Sequence, residues 1–320
     1  MRLHGVQCEG KFPTMISFPT LGEWVEASPD HAGWPRKALS ERLPPRMPDG
    51  SPWPTVSIIT PSLNQARFIA DAIASVANQG YPAFEHLVVD GGSADGTLEI
   101  LRAQGAAVSW IAEPDTGQAD AVNKGFARAT GEILGWLNAD DYYEAGAVRA
   151  VAEFTARHPD VDVVYGDCLY LYQDVTPAEL RLVRSRAFDL AYLLNVGCFI
   201  HQPATFFRRS ALVAGPLNTR LRYAMDYELW LRMARAGKRF AYLPVTLATF
   251  RITEASKSGA SLTQFWPEVR ATSRRYGGRF FSPMLLRHLK DRLSGRWPGP
   301  YGSAKRAYTW LFGRSAPGAG

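Results

Sequence analysis

Residues 132–143 read EILGWLNADDYY. An apolar run of this length predicts a short buried strand, and the strand empties into two adjacent carboxylates, Asp140 and Asp141. Like charges this close repel each other and are costly to bury, so the pair needs a cation. The neighbouring sequence says what kind of sheet the strand joins. TVSIIT (55–60) is another short β-branched run, and HLVVD (86–90) and VSWIAEPD (108–115) follow it. Between them lie helical patterns. Phe68, Ala72 and Val76, with Ile69 and Ile73, form one apolar face, with Asn64 as candidate cap. TLEILRAQG (97–105) follows the turn GGSADGT, capped by Ser93 or Asp95, and TGQADAVNKGFARATG (116–131) is a helix closed by Gly131. EAGAVRAVAEFTARHP (144–159) is a further helix.

Strand and helix alternating at crossover spacing predict an α/β fold, a Rossmann-like open, mostly parallel sheet with helices on both faces. Ligands bind such sheets outside the carboxyl ends of the strands. Pro61 to Asn64, Asp90, Glu113, Asp115 and Asn138 to Asp141 fall there. Carboxylates gathered on one edge point to a cationic or metal-borne ligand. Further on the pattern is mixed. VDVVYGDCLYLYQD (161–174) reads as a strand pair, HQPATFFRRSALVAGPLN (201–218) as strand then helix, and AMDYELWLRMARAGKRFAYLP (224–244) as helix, glycine stop and strand.

At 320 residues the chain can hold one large α/β domain or two small ones. Residues 1–54 form an irregular, Pro-rich leader, 55–254 the α/β body, and 255–320 a basic, amphipathic C-terminal extension. The net charge of +6 is concentrated in that extension. From Arg270 to Gly320 there are eleven Lys/Arg and one acid, Asp291, so the rest of the chain is mildly acidic. SPMLLRHLKDRLSGRW (282–297) spaces Leu285, Leu289 and Leu293 four apart among basic residues, and Trp297, Tyr301, Tyr308, Trp310 and Phe312 follow. That composition suits a helix lying on an anionic membrane surface; the alternative is docking of these leucines on the protein's own body.

No run is long and apolar enough to span a bilayer, and Met1 to Gly10 lacks the basic-then-apolar pattern of a signal peptide. Cys8, Cys168 and Cys198 form neither a disulfide framework nor a zinc pattern, which fits a reducing, cytoplasmic compartment, and the basic extension would place the chain peripherally on the inner face of the cell membrane. DGGSADG lacks the Lys-Ser/Thr of a P-loop and the spacing of a dinucleotide fingerprint, and no basic-aromatic patch in the body suggests nucleic acid.

VSIITPSLNQARFIADAIASVANQ, VVDGGSADGT, EPDTGQADAVNKGFARATGEILGWLNADD, HQPATFFRR and MDYELWLRMARAG occur in that order. Together they resemble the family 2 glycosyltransferases with a GT-A fold, and among them bacterial enzymes that build surface polysaccharides. The resemblance spans roughly Val56 to Phe250. It implies a nucleotide diphospho-sugar donor, a glycan or lipid-linked glycan acceptor, and Mg2+ or Mn2+ to neutralise the leaving diphosphate. Asp140 and Asp141 resemble the Asp-x-Asp motif, with Asn138 where one register of that motif has a carboxylate. By resemblance Asp141 ligates the metal, and Asp140 the metal or the ribose; a helix-capping role for Asp140 is the alternative. Asp90 resembles the base-contacting aspartate, which favours a uridine donor; the alternative is a turn aspartate before Gly91-Gly92. Pro61 and Ser62 line the nucleotide pocket, and Glu113 and Asp115 match the segment beside it, with a Pro-Asp turn the alternative for Asp115.

Asp120, Asn123 and Lys124 share a helix face, where Lys124 either meets the diphosphate or balances Asp120. His201 opens a segment along the active-site cleft and either contacts phosphate or acceptor or is structural. Glu228 has no strong claim, and His86 packs in its strand. By resemblance Asp226 aligns with the catalytic aspartate, the base of an inverting transfer; a helix N-cap role is the alternative. Two rival classes are a non-catalytic nucleotide-binding GT-A module and a sugar nucleotidyltransferase. The set Asp90, Asp140, Asp141 and Asp226 speaks against the first, and the glycine-free TPSLNQARF loop against the second.

Overall fold

The computed structural model describes residues 43–105, 108–174, 178–253 and 262–293. In chain order the strands are β1 (Val56–Ser62), β2 (Phe84–Asp90), β3 (Ser109–Ala112), β4 (Ile133–Trp136), β5 (Tyr142–Tyr143), β6 (Val163–Tyr172), β7 (Glu179–Val183), β8 (Thr205–Arg208) and β9 (Phe240–Ile252). The helices are α1 (Ile69–Ala77), α2 (Thr97–Ala103), α3 (Gln118–Arg128), α4 (Ala147–Arg157), α5 (Leu190–Asn195), α6 (Met225–Arg235), α7 (Leu262–Arg275) and α8 (Pro283–Leu293).

One sheet runs β3-β2-β1-β4-β8-β6-β9-β5, with β7 on β6. Its first half, β3 to β4, is parallel, as crossover helices require. Its second half is mixed: β8 is antiparallel to both β4 and β6, while β9 runs parallel to β6. β1 is buried along its whole length because it is covered on both faces. Successive residues therefore enter opposite cores. Ile58, Ile133, Val164 and Phe206 join one apolar cluster with Phe154. Ile59, Leu134, Val163 and Phe207 join the other with Trp230.

Within residues 161–174, Val163–Tyr172 form one long strand, β6, rather than the expected pair. Pairing with β9 slips between Tyr165 and Asp167 and again before Cys168. A Cβ on Gly166 would overlap the Val245 carbonyl, so this glycine marks a bulge where two backbones close up, not a turn. Gly131 does not close α3, which ends at Arg128 with Ala129 as C-cap; it lies against Ser57 instead. Asn64 does not cap α1. It stands at φ 53° and accepts a hydrogen bond from Ala94 N–H at 2.9 Å.

Part of the leader belongs to the body: Met47 and Trp53 are buried in the Phe154 cluster, and Tyr81 donates to the Pro54 carbonyl at 2.6 Å. The same holds for the start of the extension. Trp266, Val269 and Met284 are buried in the Trp230 cluster, and Leu285 is buried too. Residues 1–42 and 294–320, including Trp297, Tyr301, Tyr308, Trp310 and Phe312, lie outside the described residues.

His86 packs in its strand, buried, with its Nε2 2.9 Å from Thr60 Oγ1. Burial pulls its pKa down to about 3, below the ordinary value of 6.5. The unfolded chain therefore takes up a proton at His86 below about pH 6.5 that the folded chain refuses until about pH 3. The stability this confers is complete above pH 6.5 and is lost as pH falls. His86→Gln should flatten the urea-unfolding stability profile between about pH 6.5 and pH 5, by up to about 1.4 kcal/mol per pH unit. Identical slopes for the two proteins would refute this role.

Candidate active site

The carboxyl ends of β1 to β4 meet along one edge, where Ser62 lies opposite Asp90 and Asp90 opposite Ala112. Asp90 is fully buried. Its Oδ1 accepts from the backbone N–H groups of Gly92 (3.0 Å) and Ser93 (2.7 Å), and its Oδ2 from Ser93 Oγ (2.7 Å). Ser93 Oγ in turn accepts from Asn64 N–H at 2.7 Å. Asp95 takes Ala66 N–H (3.0 Å) and Thr97 N–H (3.1 Å), which makes it, rather than Ser93, the side chain at the start of α2. The GGSADGT turn thus ties the loops after β1 and β2 together. Asp90 braces that turn through both carboxylate oxygens, with a lone pair left on Oδ2. Ser62 Oγ, beside it, is buried without a protein partner.

On the next loops, charge is satisfied locally. Lys124 Nζ donates to the Pro114 carbonyl at 2.7 Å and pairs with Glu113 (3.4 Å) and Asp120 (3.6 Å). Asp120 also accepts from Thr116 N–H at 3.0 Å; that bond, more than Lys124, holds its pKa down. Of the two sequence readings, Lys124 follows the salt-bridge one. Asp115 accepts from Gly117 N–H at 2.8 Å and lies so close to Gly91 that a Cβ there would overlap its carboxylate.

The end of β4 is organised by Asn138. Its Nδ2 donates to Asp141 Oδ2 (3.0 Å) and Gln202 Oε1 (2.9 Å). Its Oδ1 accepts from Gln118 Nε2 (2.6 Å) and Trp136 Nε1 (2.9 Å). Both donors and both lone pairs of the amide are used, so Asn138 is no stand-in metal ligand. It is the strut that orients Asp141. Asp141 is 1% exposed, and its Oδ1 accepts from Arg251 N–H at 2.9 Å. Burial first, and the Asp140 charge second, push its carboxyl well above the ordinary range, while Arg251 and Asn138 pull the other way. Arg251 is itself buried; it pairs with Asp71 at 2.8 Å and lies over the rings of Phe68 (4.6 Å) and Tyr142 (5.5 Å). Sequence reasoning passed over Arg251 and Gln118. An arginine at the end of an apolar strand was the available signal, since a buried cation requires a partner.

His201, just before Gln202, is buried, with Nδ1 3.1 Å from Tyr170 Oη. Burial lowers its pKa to about 3, so it is neutral and brings no positive charge to a phosphate. Cys198, in the same segment, has its thiol pushed up by burial and then by the charge of Asp226. This segment therefore runs from the neighbourhood of Asp226 to Asn138. Asp226 is half-buried in the first turn of α6 and accepts from Tyr227 N–H at 2.7 Å. Glu228, two residues on in the same first turn, is buried and paired with Arg232 at 3.1 Å, a structural role.

Among the described residues no three His, Cys, Asp or Glu side chains gather as a metal cluster. What β4 offers is a pair of hard oxygen donors in Asp140 and Asp141. Each Asp141 oxygen accepts one hydrogen bond in the contacts above, so lone-pair capacity remains. That donor set fits Mg2+ or Mn2+ shared with substrate phosphate, which needs only one or two carboxylates from the protein.

Comparison with known proteins decides the family. The family model described as Glycosyl transferase family 2 matches residues 57–214. A PGL/p-HBAD biosynthesis glycosyltransferase of Mycobacterium bovis is 38% identical over 207 residues, covering 62% of this chain and 77% of the relative. This chain belongs to glycosyl transferase family 2. An uncharacterized glycosyltransferase of Rickettsia typhi is 27% identical over 222 residues, covering 66% of this chain and 68% of that one. Among solved structures, S. aureus TarS 1–349 in complex with UDP-GlcNAc superposes with a TM-score of 0.58 at 17% identity, over 81% of each chain. The mannosyltransferase PcManGT from Pyrobaculum calidifontis, in complex with GDP-Man and Mn2+, gives 0.57 at 23% identity, covering 83% of this chain and 80% of that one. The glycosyltransferase therefore has the GT-A fold.

The saturation of Asn138 makes a counter-intuitive variant informative. Asn138→Asp restores the Asp-x-Asp pattern on paper. It also removes both amide donors and places a third carboxylate against Asp141. Urea unfolding should show a loss of about 1–3 kcal/mol. Undiminished stability would show that Asn138 is not the strut described.

Proposed function

We propose that this glycosyltransferase moves a sugar from a nucleotide diphospho-sugar, a UDP-sugar by preference, to a hydroxyl of a glycan or lipid-linked glycan, with inversion at the sugar carbon. The observation that carries this reading is the division of the carboxylates. Asp140 and Asp141 stand at the end of a parallel strand, where nucleotide ligands bind. Asp226 stands apart from them at the head of α6. An inverting transfer asks for those two functions, cation binding and proton acceptance.

The acceptor oxygen attacks the anomeric carbon as the bond to the diphosphate oxygen breaks, and the Asp226 carboxylate takes the hydroxyl proton. Asp141 and Asp140 would hold a divalent ion that neutralises the charge gathering on the diphosphate. Pro61, Ser62 and the loops shaped by Asp90 and Asp115 form the nucleotide side, with Glu113, Asp120 and Lys124 fixing the wall beside it. His201 contributes a neutral ring to the floor of the cleft. The UDP preference draws support from the UDP-GlcNAc complex of TarS, and the cation from the Mn2+ complex of PcManGT. The polysaccharide and glycolipid setting draws on the name of the mycobacterial relative. A non-catalytic nucleotide-binding module would have no use for Asp226, and family membership speaks against a sugar nucleotidyltransferase.

Thermal shifts with UDP-glucose, UDP-N-acetylglucosamine and GDP-mannose, each with Mn2+, identify the donor. A ligand at a hundred times its Kd stabilises by about 2.7 kcal/mol. Asp141→Ala, or EDTA, should abolish the Mn2+-dependent part of that shift. Asp226→Asn should keep donor binding and reduce release of the nucleoside diphosphate by about 10²–10⁴-fold. Turnover near wild type in Asp226→Asn would remove the base from this reading.

A lipid-linked acceptor also gives a meaning to the end of the described chain, and we propose that this end rests on an anionic membrane surface. No helix among the described residues is long and apolar enough to cross a membrane. Yet four exposed large apolar side chains fall close together: Phe280, Phe281 (81% exposed), Leu286 and Leu289. Arg274 lies over the Phe280 ring at 5.0 Å, and Arg275 and Arg279 are exposed nearby. Leu285 points into the core, so the lipid-facing stripe is Leu286 and Leu289 with the two phenylalanines. The full chain should sediment with phosphatidylcholine vesicles containing phosphatidylglycerol and not with phosphatidylcholine alone. Phe280→Ser with Phe281→Ser should weaken that binding about tenfold or more. Equal sedimentation of wild type and variant defeats the membrane proposal.

A further inference from the structure

The loop that leads into Asp226, residues 215–224, is held at three points. Arg232 donates to the carbonyls of Gly215 (2.7 Å) and Pro216 (2.6 Å). Asn123 of α3 grips Leu217 by two bonds, its Nδ2 donating to the carbonyl at 2.9 Å and its Oδ1 accepting from the N–H at 2.8 Å. The third hold comes from beyond the family match, which ends at residue 214. Glu268 of α7 accepts from Arg222 N–H at 2.7 Å through Oε1 and from Tyr223 N–H at 3.0 Å through Oε2. Ala224 N–H adds a longer bond to Oε1 at 3.4 Å.

These three amides immediately precede α6, whose N-cap residue is Ala224 and has no side-chain acceptor of its own. Helix starts leave N–H groups without partners, and the positive end of the helix favours an anion beside it. Here the anion is delivered by another helix, and it lands two to four residues before Asp226. α7 does not need Glu268 in order to dock. Trp266 and Val269 are in the core, Ser273 Oγ donates to the Leu194 carbonyl at 2.6 Å, and Arg235 bonds the Tyr276 carbonyl at 3.0 Å.

We propose that Glu268 is a positioning residue for the transfer step, fixing residues 222–224 so that the Asp226 carboxylate is presented to the acceptor. The proposal rests on the reading of Asp226 as the base. A displacement of about 1 Å at a reacting group can cost about a hundredfold in rate. Removing Glu268 should therefore depress kcat while the nucleotide side, built on β1 to β4, is undisturbed.

The test uses the full chain with Glu268→Ala and Glu268→Gln; the glutamine keeps one acceptor oxygen and is the variant to read where alanine lowers Tm. Hydrogen exchange at the amides of 222–224 should accelerate in both, most in alanine, with β1 to β4 unchanged. The donor of UDP-glucose, UDP-N-acetylglucosamine and GDP-mannose giving the largest thermal shift serves as substrate, with water as acceptor. Release of its nucleoside diphosphate should fall about ten- to a hundredfold in alanine and less in glutamine, with donor KM within about twofold. Unchanged exchange, unchanged kcat, or a donor KM that rises in step with the loss of kcat each overturns the proposal. Asp226→Asn is run alongside. If it is inactive while Glu268→Ala matches wild type, only the positioning role falls. If it is active, the base reading falls with it.

Discussion

Asn138 makes four hydrogen bonds with one side chain, and the geometry of the site depends on them. They reach the end of β4, the first residue of α3, the turn before β8 and the carboxylate of Asp141. This is the place where the parallel half of the sheet meets the mixed half. A buried amide with every valence filled can adopt only one orientation without leaving a partner unsatisfied, so it fixes its neighbours as well as itself. Asp141 can then be carried as a buried carboxylate, at the cost of a proton affinity far from ordinary, because its orientation is set from both sides by Asn138 and by the backbone of Arg251.

The other charges near the edge are arranged on a different principle. Lys124, Glu113 and Asp120 neutralise one another within one helix and the turn before it, and Asp90 braces its own turn. These residues shape walls. An edge built this way is held in shape by its own contacts.

The sequence was readable wherever partners are close along the chain. β1 to β4 and their helices followed from apolar runs at crossover spacing, and the acidic strand ends read from the sequence do fall together on one edge of the sheet. What it hid was pairing over distance. Nothing in VDVVYGDCLYLYQD distinguishes a turn glycine from a bulge glycine until β9 lies against it. Whether Lys124 is free or paired depends on the bend that brings Glu113 back to α3. Arg251 meets Asp71 across 180 residues and Glu268 meets Arg222 across 46, and neither contact leaves a local pattern. Phe206 and Phe207 enter opposite cores, and nothing in the adjacent pair says which enters which.

The partner of Asp141 on its second oxygen is the backbone of Arg251, 110 residues downstream. During synthesis the acidic pair and the parallel strands leave the ribosome long before β9 exists. Non-local strand pairing is slow to form because the intervening chain must be closed first. The parallel half can therefore assemble early as a scaffold whose acidic edge is unfinished. Asp141 takes its final orientation only when β9 inserts beside β6 and β5, so that orientation reports on completion of the whole sheet, and a nascent or clipped chain lacking β9 carries the motif without the geometry.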